Sequence, residues 1–250
     1  MEEKYWLFYL LALIAEIIGT TSGFGSSILF VPLAAMFFDF HEVLGITALF
    51  HVFSNLSKIF LFRKGINKKI ALKLGIPAVI FVAIGAFLSK YIPQKELEVA
   101  MNIILVILAV YLIRNFNKTL PQSDRNLVTG GVFSGFLAGL VGTGGAIRGI
   151  SLAAFHLPKD IFIATSALID MGVDTTRAAV YFFNGYMSKD FIILIPFLIL
   201  ISILGSWIGK QILKFTSEKI FRYLVLGVIL LTSVVQLVKY FTGDSFGFGS

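Results

Sequence analysis

Apolar stretches of about 18 residues or more, each long enough to cross a bilayer as a helix, follow one another between Tyr5 and Tyr240. Short polar breaks near 22–24, 39–42, 63–69, 90–95 and 114–126, then 141–143, 157–160, 184–190 and 210–219, divide them into ten segments. The pattern predicts an all-α polytopic integral membrane protein with eight to ten transmembrane helices in two sets of five segments. One long polar connection, 115–126 with Pro121, separates a first half, 1–114, from a second, 127–240. The polar, Gly-rich stretch 241–250 reads as a flexible tail.

A shift of 119 positions lays the second half on the first without a gap. Gly23-Phe24-Gly25 falls on Gly142-Thr143-Gly144, Leu33-Ala34-Ala35 on Leu152-Ala153-Ala154, Thr47-Ala48-Leu49 on Ser166-Ala167-Leu168, and Pro77 on Pro196. Ordered Gly and Pro matches argue for an internal repeat over the chance similarity of apolar segments. An odd number of crossings per half inverts the second half. With five, Arg63, Lys64, Lys68, Lys69, Arg114, Lys118, Arg125, Lys159, Lys210, Lys214, Lys219 and Arg222 gather on one face, against Lys4, Lys90, Lys95, Lys189 and Lys239 on the other. That asymmetry places the basic face in the cytoplasm and both termini outside it. Reading 24–38 and its repeat as re-entrant hairpins gives four crossings per half and spreads the charge more evenly.

Composition sharpens the class. The 250 residues are 57% hydrophobic and 14% charged, with a mean hydropathy of +0.90, whereas soluble domains carry about 25% charged residues. A soluble enzyme is excluded. No cysteine is present, so disulfides and thiolate chemistry are excluded, and three scattered histidines predict no metal site. The net charge of +7 resides mainly in the breaks, which fits membrane orientation and not nucleic-acid binding. Glu2, Glu3 and Lys4 precede a long apolar stretch without a small-residue cleavage site, so the first segment reads as a retained helix.

Each half has a break rich in glycine and hydroxyl residues, 20–27 and 139–146. Irregular backbone at membrane depth is tolerated only where protein or a wet cavity surrounds it. Two half-helix starts would offer N–H groups and positive dipole ends to an anion, with glycine admitting close approach. This makes Gly23, Gly25, Ser26, Ser27, Gly142, Thr143, Gly144 and Gly145 candidate substrate-binding residues. Close helix packing through small residues is the competing explanation.

Gly23-Phe24-Gly25-Ser26-Ser27 followed by Pro32, and Gly142-Thr143-Gly144-Gly145-Ala146, in two similar halves of a chain this length, resemble the sulfite exporter TauE/SafE family, also called the toluene-sulfonate uptake permease family. The resemblance spans nearly the whole chain. It departs where serines replace glycines in the first copy, where Ser151 stands in the place of a Pro, and at Arg148. Membership implies transport of small anionic sulfur compounds such as sulfite, sulfoacetate and other organosulfonates.

Ionisable residues at bilayer depth cost at least about 2.5–3.5 kcal/mol and mark sites. Asp170, Asp174 and Arg177 share one helical face, and the shift maps them onto His51, Asn55 and Lys58. Two such stripes facing each other would line a central path. Asp174 and Arg177 fit an internal salt bridge equally well, whereas Asp170 needs a partner elsewhere, such as Arg148, Lys58 or His51. Arg148, just after the second glycine break, could clamp a sulfonate or sulfite oxygen pair. His51 and Asp170 are candidate proton carriers. Glu16 is another, or else sits near a membrane face.

These features predict a secondary transporter for a small anion, with its site between the glycine breaks, access alternating as the halves rock, and proton coupling as an option. An anion channel of the same fold is the first alternative. A membrane-embedded enzyme is the second, although no P-loop, H-E-x-x-H or G-x-S-x-G motif is present. No cofactor is expected. Besides the anion and protons, the expected partners are membrane lipid and, through the Gly-rich segments, another copy of the chain.

Overall fold

The computed structural model describes residues 3–22, 25–62, 65–115, 120–187 and 191–215, with helical positions scattered between 227 and 242. Among the described residues there are nine helices and no strand: α1 (Glu3–Ser22), α2 (Ser27–Ala34), α3 (Phe40–Leu61), α4 (Lys68–Ser89), α5 (Gln94–Arg114), α6 (Asp124–Val141), α7 (Gly145–Ala153), α8 (Lys159–Phe183) and α9 (Phe191–Leu213). The expected tail, 241–250, lies outside them apart from Phe241 and Thr242. Shifting by 119 brings α1, α2, α3 and α4 onto α6, α7, α8 and α9 within a few residues at each end. Asn67 and Ser123 cap α4 and α6 by accepting from the N–H groups of Ile70 and Asn126. Pro77 and Pro196 sit inside the matched α4 and α9.

Among the described residues five helices, α1, α3, α4, α5 and α9, are long and apolar enough to cross a membrane. Their lipid-side stripes are apolar: Leu72, Ile76, Ile80, Ile84 and Phe87 of α4 are all exposed, as are Trp6, Leu10 and Ile14 of α1. A soluble protein rarely shows such patches. Polar side chains lie inside, where Glu16, Ser54, Asn55, Lys58, Arg148, Asp174 and Arg177 are buried.

Neighbouring residues fix the direction of each helix. Tyr9 packs against the Phe197 ring, Glu16 accepts from Ser206 and Thr20 lies against Gly209, so α1 and α9 run parallel. Phe38, just past α2, meets Phe8 at 5.0 Å between centroids, while Ser26 lies against Gly19. The segment containing α2 therefore returns to the end at which α1 began. At about 1.5 Å per residue its eight residues cover about 12 Å, so α2 alone is too short to span a bilayer. In the second half, Ser134 against Gly144 and Gly130 against Ser151 show α7 returning along α6 in the same way.

α3 and α8 cross antiparallel: Gly45 lies on Tyr186, Asn55 bonds Asp174, and Phe62 clusters with Ile163. α4 and α6 run parallel, with Gly131, Gly135 and Gly139 against the backbone of Leu74, Ala78 and Val82. Helices superimposed by the shift thus run in opposite directions, α1 against α6, α3 against α8, and α4 against α9. Lys68, Lys69, Arg114, Arg125, Lys159, Lys210 and Lys214 belong to one end of this bundle, the basic end, where Lys73 pairs with Asp124 and Lys210 Nζ donates to the Leu61 carbonyl at 2.5 Å. Lys90 and Lys95 belong to the other end.

Candidate functional site

The Asn55 amide donates to Asp174 Oδ2 at 2.6 Å across the α3–α8 crossing. These residues are separated by 119 positions, the repeat shift itself. The polar stripes foreseen on α3 and α8 therefore meet at this crossing.

A small polar cavity lies at this crossing. It is lined by Gly25, Ser26, Ser27, His51, Asn55 and Lys58 from the first half, and by Ala138, Gly142, Gly144, Gly145, Arg148, Asp170, Val173, Asp174 and Arg177 from the second. A neighbouring small space shares Gly25, Asn55, Lys58 and Asp170 and adds Gly19, Thr20, Ile163, Ser166 and Ala167, leading towards the basic end. Two foreseen residues stand back from the cavity: Thr143 is buried outside its lining, and Glu16 lies behind Ser26 and Lys58. Gly23 lies outside the described residues.

Both short helices begin at this cavity. α2 starts after Ser26 and α7 after Gly144, neither start carrying a side-chain cap, so the first N–H groups are available to a ligand. Gly25 and Gly142 both adopt φ 81, the left-handed conformation that glycine tolerates. A Cβ on Gly142 would also collide with Leu44. Close packing thus requires glycine at position 142.

Arg148 ion-pairs through Nη1 with Asp170 Oδ1, and its Nε donates to Ser166 Oγ at 3.1 Å. Arg148 is thus the partner that Asp170 was expected to need. Arg177 Nε donates to Asp174 Oδ1 at 2.7 Å. Its Nη1 donates to the carbonyls of Gly142 at 2.8 Å and Ala138 at 3.3 Å, closing the broken end of α6. Tyr181 adds a hydrogen bond to the Gly139 carbonyl at 2.6 Å.

Glu16, fully enclosed rather than near a membrane face, has many donors. Ser54, Ser206 and Thr20 donate to Oε1 at 2.7, 2.8 and 3.2 Å, Lys58 Nζ pairs with the same oxygen at 2.9 Å, and Ser26 lies 2.7 Å from Oε2. A buried carboxylate is stable only with such company. His51 Nε2 lies 2.7 Å from Ser26 Oγ, and Nδ1 lies 2.8 Å from the Thr47 carbonyl. Sequence reasoning missed Ser54, Ser166 and Ser206 as members of the site. Ser166 was already visible as the repeat mate of Thr47, but serine is too common in membrane helices to single out without its partners.

A helical bundle with apolar outer faces, whose charged residues converge on a small polar cavity, is that of a polytopic membrane protein. The profile of the sulfite exporter TauE/SafE family matches residues 8–235, and the chain belongs to that family. It is 27% identical to a protein of Methanocaldococcus jannaschii described as a probable membrane transporter protein, the alignment covering 94% of each chain. No solved structure matches the chain significantly.

Proposed function

We propose that the chain is a secondary transporter that exports small anions, sulfite or organosulfonates above others, from a prokaryotic cell. Access alternates as two inverted repeats, 1–114 and 127–240, rock about the central cavity, with 115–126 as their linker. The observation that carries this reading is the convergence of two uncapped helix starts and the Arg148 guanidinium on one cavity at the α3–α8 crossing. Such donors match the oxygens of a sulfonate or sulfite and hold them without a metal or cofactor. The family to which the chain belongs supports the substrate class.

The test is flux in proteoliposomes challenged with sulfite, sulfoacetate, taurine, sulfate and chloride. The expected result is a saturable signal selective for sulfite or sulfonates and lost in Arg148→Ala. A response equal for all anions, or unchanged by that substitution, would sink the reading. Non-saturating current without counterflow would identify a channel.

A further inference from the structure

Glu16 Oε2, Ser26 Oγ, His51 Nε2 and His51 Nδ1 form a continuous chain ending on the Thr47 carbonyl, with contacts of 2.7, 2.7 and 2.8 Å. Hydrogen accounting limits its charge states. The Thr47 carbonyl can only accept, so its contact requires a proton on Nδ1. The two contacts of Ser26 need two protons, and the hydroxyl supplies one. The other comes either from Glu16 as a carboxylic acid or from His51 as an imidazolium. When it leaves, Nδ1 and the Thr47 carbonyl face each other as two acceptors, or Ser26 abandons one neighbour. Nδ1 then finds its alternative donor in Arg177 Nη2, 3.5 Å away.

Charges around the chain give that proton a purpose. Glu16 faces Lys58 of α3, the Ser206 hydroxyl of α9 and its own helix's Thr20. His51 shares the cavity with Lys58, with Arg148 of α7, and with Asp170, Asp174 and Arg177 of α8. Among the described residues, Lys58, Arg148 and Arg177 oppose Glu16, Asp170 and Asp174, three against three. An anion entering this balanced site adds an uncompensated buried charge, which is expensive. The extra proton on the Glu16–His51 chain cancels it.

We propose that Glu16, Ser26 and His51 form a relay holding one shared, exchangeable proton, and that this proton is bound together with each monovalent anion. The coupling rests on the anion-transport reading; the relay itself does not. For a monovalent anion the loaded step is electroneutral. Its direction follows the combined anion and proton gradients, outward when the cell accumulates the anion and inward from acidic surroundings.

Infrared titration of the purified protein tests the relay without any substrate. Carboxyl and imidazole bands are expected to change in a single coupled transition. Glu16→Gln removes the carboxyl band. Ser26→Ala, which cuts the chain while leaving both ends, splits the transition in two. Independent titrations in the unaltered protein, or no titration of either group, overturn the relay. The coupling is tested in proteoliposomes with methanesulfonate, monovalent throughout the pH range, and an internal pH dye. About one proton should move per anion, and this ratio should fall at least about tenfold in Ser26→Ala and in His51→Gln, the second variant guarding against misfolding of the first. Methanesulfonate flux that responds to potential but carries no proton overturns the coupling. A relay seen by infrared with no sulfonate or sulfite flux overturns the anion reading and its coupling, leaving the relay standing.

Discussion

Asp174 answers to two residues with different stakes. It accepts from Asn55 at 2.6 Å and from Arg177 at 2.7 Å. Arg177 is almost completely buried, so removing its carboxylate strands a charge in a medium that solvates it poorly. Asp174→Ala is expected to lower stability by about 3–5 kcal/mol. Asp174→Asn, which retains a carbonyl oxygen able to accept, should cost clearly less. Thermal unfolding of both variants in one detergent checks the order, and equal losses would mean that the charge of Asp174 matters less than its shape.

At the scale of helices, the most extensive packing among the described residues is α4 on α6. A Cβ on Gly135 would collide with the backbone of Ala78, which cannot swing aside as a side chain can. Gly135→Leu should therefore destabilise by about 1–3 kcal/mol or more through overpacking. Gly227→Leu, where a Cβ meets nothing within 4 Å, should leave the melting temperature nearly unchanged; a comparable drop in both would refute the interface as its cause. The helices were legible because hydrocarbon demands unbroken apolar runs, and the shift of 119 gave the boundaries of α6, α7, α8 and α9 from those of the first half. Also legible were the facing triplets on α3 and α8, since a charge at membrane depth has few reasons to exist. Ser54 and Ser206 were not, because their role comes from converging on Glu16 from different helices, and one strand of sequence carries no trace of that convergence.

Across the whole molecule, the basic end defines an orientation. Lys69 opens α4 at that end, and Lys95 opens α5 at the other, near the start of α3, where the His41 N–H meets Gln94 Oε1 at 3.4 Å. Both lysines are exposed. Positively charged short loops stay in the cytoplasm, which puts Lys69 inside and Lys95 outside. The chain has no cysteine, so one introduced thiol reports without background. In intact cells a membrane-impermeant thiol reagent should label Lys95→Cys and spare Lys69→Cys until the membrane is opened. The reverse pattern would turn the molecule over and make the space that leads from Asp170 towards Thr20 and Ile163 open from outside instead of from the cytoplasm. Labelling of both from outside would contradict the placement of the α4 and α5 starts at opposite ends of the bundle.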